Sequence, residues 1–269
     1  MQPANCLNCG DPLLPSKNFC ANCGQKSIAH RLSLHEIGHE ALHYFTHADK
    51  GIFHLVKELA VSPGKVAREF VEGRRKQYFP PLNFFLIVAA ICLFMAGVVY
   101  KYQSANSTIN SRSVIAQSNK TSSISPSPVM LKRMANMGKF FSKYSNLLPM
   151  AAVPLLSFLI WLFYIKGRYN YSEHLVANMY ISGFTVLVYS VIIQPAKLLV
   201  GNSSYLLYVY FIFEIIYRVI SYYYFINKRT RASLVKAMLV NLAIIGFWIL
   251  LTSSLIRIYI QSGFWGLIA

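Results

Sequence analysis

Four of the chain's five cysteines stand as Cys6-x-x-Cys9 and Cys20-x-x-Cys23, with ten residues between the two pairs. A two-residue gap lets both sulfurs of a knuckle reach one ion, and Gly10 and Gly24 permit the tight turn that aims backbone amides at the thiolates. Four thiolates leave no coordination position for water. The pattern therefore predicts one structural zinc ion, held by Cys6, Cys9, Cys20 and Cys23 in a zinc ribbon over residues 1–30. Two disulfides are the competing chemistry; a cytosolic segment keeps thiols reduced, and so short a segment needs a staple in place of a core. Cys92 sits inside an apolar run and reads as a packing residue.

A second constellation is His35-Glu36-Ile37-Gly38-His39, a match to HExxH, in which two histidines one helical turn apart bind zinc and the glutamate is the general base. Ser33 and Glu36 form a capping box that starts a helix over about residues 34–46. On it Leu34, Ile37, Ala41, Leu42 and Phe45 share the apolar face, and His35, His39, His43 and His47 fall on the polar one. The extended pattern needs Gly at 42 and His at 45, where the chain has Leu42 and Phe45. A metalloprotease on His35, Glu36 and His39 is thus the least favoured functional reading, and the balance leans away from an enzyme.

The third set is acidic and basic at once. Glu214 and Arg218 lie one turn apart inside an apolar run, where an unpaired charge costs several kcal/mol, so they are expected to pair. Together with Glu173 they are also the residues on which transport or handling of a small molecule, ion or lipid would depend. Glu173 and His174 are placed to meet Arg74 and Arg75.

These residues must be positioned by membrane helices. A span needs about 20 mostly apolar residues, and five stretches qualify: 82–100, 147–165, 174–194, 204–226 and 237–256. The alternative is an even number of spans, with one of the five lying flat or re-entrant. The architecture expected is an all-α polytopic membrane protein, a helical transmembrane domain over 82–269 preceded by amphipathic juxtamembrane helices over 31–81. Helices are predicted at 51–60 and from Ser62-Pro63 to Glu72, with Ser62 as N-cap, and Pro80-Pro81 opens the first span. Pro195 marks a kink or an end of the third. The first eighty residues contain no apolar run of signal type, which places the N-terminus in the cytosol. Lys and Arg before the first span, between the second and third, and between the fourth and fifth fall on one side, giving a cytosolic N-terminus and a periplasmic C-terminus. The outer loop, 101–146, is basic and rich in Ser, Asn and Thr up to Pro128; Met130, Met134, Met137, Phe141 and Tyr144 then recur at helical spacing.

The composition agrees. Of 269 residues 55% are hydrophobic and only 13% charged, with a mean hydropathy of +0.42, which excludes an ordinary soluble domain. The net charge of +17 resembles that of a nucleic-acid binder until it is divided along the chain. Residues 1–81 carry ten basic and seven acidic side chains, and residues 82–269 carry sixteen and two, so most of the excess is span-flanking charge plus the acid-free outer loop. The ribbon itself has Lys17, Lys26 and Asp11, without the basic stripe that phosphate binding requires, and no nucleic-acid partner is expected.

Several of these features together resemble an uncharacterised bacterial membrane family, domain of unknown function 3667, common in Bacteroidota. The residues that carry the resemblance are Phe19-Cys20-Ala21-Asn22-Cys23-Gly24-Gln25, Ser62-Pro63-Gly64, Gly73-Arg74-Arg75 with Tyr78 and Pro81, and Tyr171-Ser172-Glu173-His174. The resemblance implies a cytosolic ribbon followed by a helical membrane domain in the bacterial inner membrane, and it brings no reaction. The expected partners are membrane lipid and a protein recruited through the ribbon, where Leu7, Leu13, Leu14 and Phe19 are available for contact, or through the juxtamembrane helices.

Overall fold

A computed structural model describes residues 4–14, 17–27, 31–35, 37–38, 51–110, 129–134, 136–137, 148–200, 204–227 and 230–262. Among them the chain is helical, with two isolated β-bridges in the cysteine region and no strands. Helices α1 (Gly51–Val61) and α2 (Lys65–Val71) precede α3 (Pro81–Asn110), which begins at the predicted proline pair. Next come α4 (Leu148–Ala151), α5 (Val153–Phe163) and α6 (Tyr171–Val188). A π-turn (Tyr189–Ile193) leads into α7 (Gln194–Val200), after which α8 (Ser204–Ile226) and α9 (Arg231–Ser262) complete the order.

Four stretches are long and apolar enough to cross a membrane: Pro81–Val99, Tyr171–Val200, Tyr205–Ile226 and Arg231–Gln261. The fifth predicted span, 147–165, is not one of them. Pro154 lacks an amide donor and its ring crowds the turn before it, and the helix breaks at Ala152. Beyond the break α5 has 11 residues, about 16 Å of rise, or half the hydrocarbon thickness.

Helix directions can be read from side-chain contacts. Phe84 packs at Gly183 and Cys92 lies against Ser190, so α3 and α6 run parallel. Tyr164 stacks on His174 and Val153 packs with Leu175 and Met179, so both ends of α5 lie against the first turns of α6. Arg218 meets Ser182 and Tyr210 meets Tyr189, so α8 runs antiparallel to α6. Lys236 at the start of α9 lies over the Tyr164 ring, at the end of the bundle where α6 begins, so α9 runs in the direction of α3 and α6.

Tyr171–Val200 is the central helix, 67% of its apolar window being buried against 17–22% for the other three spans. Those three turn Phe94, Ile212, Leu250 and similar side chains outward. So much exposed apolar surface fits lipid and would be a liability in water. Helices α1 and α2 seal one end of the bundle, burying Leu55, Leu59, Val66 and Phe70. Tyr217 donates to the Leu59 carbonyl (2.9 Å) and Arg68 to that of Tyr224 (2.8 Å). The cap of α2 is Gly64 at φ 78°, with no side-chain cap bond, where Ser62 was the expected N-cap. The reason is proximity: a Cβ on Gly64 would lie 1.9 Å from the Ser221 carbonyl oxygen of α8.

Of the predicted outer amphipathic helix, residues 129–134 and 136–137 are helical. Arg133 donates to the Ile260 and Gln261 carbonyls at the C-terminal end of α9, where a cation offsets the helix dipole. That contact ties the segment to the protein's own helices.

Candidate metal centre

The two knuckles are copies of one hairpin offset by 14 residues. The Cys6 amide donates to Asp11 and the Cys20 amide to Gln25; Gly10 and Gly24 donate back to Cys6 and Cys20; the outer pairs are Leu13 to Ala4 and Ser27 to Asn18. Gly10 (φ 83°) and Gly24 (φ 68°) take the left-handed conformation that closes each turn. The hairpins face one another, with Cys6 Sγ 3.6 Å from Cys23 Sγ and Cys9 Sγ 3.6 Å from Cys20 Sγ. All four sulfurs lie within 4.8 Å of one another and could hold a metal ion. With metal–sulfur bonds of about 2.3 Å, a tetrahedral shell has edges of about 3.8 Å, which the observed separations match. They far exceed a disulfide bond of about 2.05 Å, and all five cysteines are free.

The thiols are not equivalent. The backbone amide of Cys23 is the main influence drawing Cys20 down from 9.0 to about 7, with Asn22 assisting against desolvation. At Cys9 the Asp11 amide pulls down, but desolvation and the thiols of Cys23, Cys20 and Cys6 outweigh it and push the group up to about 12. Backbone amides thus favour a first thiolate, whereas ionising all four requires a cation among them.

The hairpins are seated on the sealed end of the bundle through two contacts. Gln25, which ends the second knuckle, is buried; its Nε2 donates to the Gly73 carbonyl (2.6 Å) and its Oε1 accepts from the Lys76 amide (3.4 Å). Arg31 reaches Glu173 with two bonds of 3.2 and 3.1 Å and also donates to the Arg168 carbonyl. Glu173 is doubly used, because with Asn170 it forms the capping box that starts α6. Asn170 in turn donates to the Leu32 carbonyl (3.2 Å). Around this seat Tyr78 donates to Glu69 (2.6 Å) and Tyr169 to Glu72 (3.2 Å). Burial first, then the Glu72 charge, pushes the Tyr169 phenol up to about 12, which keeps it a donor.

The other predicted residues separate. Glu214 and Arg218 form the expected pair (3.0 and 3.1 Å), and Arg218 also donates to Ser182 (3.1 Å). Glu173 pairs with Arg31, and Arg74 with Glu69, in place of the anticipated Glu173–Arg74 grouping. His174 lies inside an aromatic box of Tyr164, Tyr169, Tyr222 and Phe225. Of the HExxH motif, His35 is exposed at a short helical start; Glu36 and His39, with Glu40, His43 and His47, lie outside the described residues. Sequence reasoning missed Arg31 and the Gln25 clamp. Gln25 had a local signal, a glutamine directly after the second knuckle's glycine; Arg31 had none.

The profile of a family described as Protein of unknown function (DUF3667) matches residues 49–93, which run from α1 into α3 and include the Gly64 and Gly73 turns. This agrees with the resemblance carried by Ser62-Pro63-Gly64 and Gly73-Arg74-Arg75. No curated protein and no solved structure matches the chain.

Proposed function

We propose that the chain is an integral protein of the bacterial inner membrane whose ribbon, on the cytosolic side, holds one structural zinc ion and recruits a protein partner. The observation that carries the reading is the ribbon's placement. Gln25 and Arg31 fix its base to the bundle, while Leu7, Leu14 and Phe19 remain 42%, 56% and 54% exposed. Zinc is favoured because four soft thiolates with no open position suit it better than a harder or catalytic ion. A cytosolic ribbon is supported by Arg74, Lys76, Lys166, Arg168, Arg231 and Lys236, which flank the same ends of the spans. Glu173, Glu214 and Arg218 are each held by protein partners, which favours orienting roles over a polar path.

The test is affinity purification of the full chain in mild detergent, comparing the native protein, Leu14→Asp/Phe19→Asp and Cys20→Ser. One zinc per chain is expected in the first two, and a partner set recovered only with the first. Recovery of the same proteins with all three removes the recruitment reading.

A further inference from the structure

Where the α5–α6 connection meets the end of α8 and the start of α9, the protein carries a partly open cavity of about 550 Å³, within the range of small-ligand sites. It is separate from the ribbon's exposed surface. Among the described residues its charged lining is one-signed, formed by Lys166, Arg168 and Lys236. Arg168 is paired with Glu72 (3.2 Å). Among the described ion pairs neither lysine takes part, and Lys236 Nζ stands 4.5 Å from the Tyr164 ring centroid on the wall.

A further feature points to a ligand. Thr230 caps α9, its carbonyl and hydroxyl accepting from the Ser233 amide, so the positive end of a 32-residue helix opens on the cavity through Thr230, Ala232 and Ser233. Beneath, His174 is fully buried in its aromatic box, which leaves the polar contacts of a ligand to the lysines and the helix start. The rest of the wall is apolar, and Phe163 and Ile165 continue outward as exposed side chains at the ends of the spans.

We infer that this cavity binds the phosphate headgroup of an anionic phospholipid, with Lys166, Lys236 and the start of α9 on the phosphate and Phe163 and Ile165 beside the first acyl carbons. Phosphate alone would satisfy the cations, but the exposed apolar side chains of Phe163 and Ile165 beside them select an amphiphile.

The experiment uses the full chain in nanodiscs and in detergent with native mass spectrometry, presenting phosphatidylglycerol, phosphatidylcholine or glycerol 3-phosphate. The native protein should retain phosphatidylglycerol over phosphatidylcholine, and Lys166→Gln/Lys236→Gln should lower that preference about tenfold. Lys197→Gln, which removes a cation stacked on Tyr189 in α7, should leave it unchanged. Ribbon zinc content and circular dichroism report that the variants fold. Equal lipid preference in the native protein and the double variant overturns the inference. So does binding of glycerol 3-phosphate without selective lipid retention.

Discussion

At Gly64 two constraints act on one residue: the left-handed backbone, and the Ser221 carbonyl lying where a methyl group would go. Gly64→Ala should cost about 3 kcal/mol or more, read as a lower unfolding midpoint in detergent. Gly97→Ala, with open space around the site, should be near neutral. Gln25→Leu leaves the Gly73 carbonyl and Lys76 amide without their partner and should cost about 2 kcal/mol of ribbon seating. The expected sign is faster hydrogen exchange at residues 73–76 with zinc content unchanged; equal loss of zinc would show that the clamp and the metal site are one unit. The cysteine site was legible because its information is local, two gaps of two residues and a glycine after each second cysteine. The seat was not, because Gln25 and Gly73 lie 48 residues apart and Arg31 and Glu173 lie 142 apart, distances over which no spacing rule operates.

Among the elements, apolar run length located α8 to the residue and erred at α5, where hydropathy counts proline as a neutral gap and the backbone does not. Pro195 shows the opposite outcome. The helix continues past it to Val200 because the preceding π-turn, with the Gln194 amide bonding to Tyr189 five residues back, makes room for the ring. Inside α8 the Glu214–Arg218 pair has a structural task, holding that helix against Ser182 of α6. A double-mutant cycle with Glu214→Gln and Arg218→Gln should return a coupling of about 1 kcal/mol. A coupling near zero would leave the pair without that task and return it to the transport reading.

For the whole molecule, the directions of α3, α6, α8 and α9 have a consequence for sidedness. With α3, α6 and α9 running one way and α8 the other, the ribbon and the end of α9 are expected on opposite sides. A phosphatase fused after Ser262 should be active and a fluorescent protein there dark, with the reverse for fusions before the ribbon. Matching signals at both positions would overturn that sidedness. Charge counts predict the same sidedness from sequence, since flanking basic residues depend on position along the chain and not on packing.

The parallel contact of Phe84 with Gly183 also sets a timetable. The partners are 99 residues apart, so at about 5–20 residues per second α3 waits roughly 5–20 s after synthesis before the helix that packs on it exists. During that interval only lipid can shelter it. Its apolar window has a mean hydropathy of 2.6, above the 1.8, 1.4 and 2.2 of the later spans. The first helix made is thus the one best able to stand alone in the bilayer, and the later helices, with their buried polar side chains, arrive when a protein surface is already there to receive them.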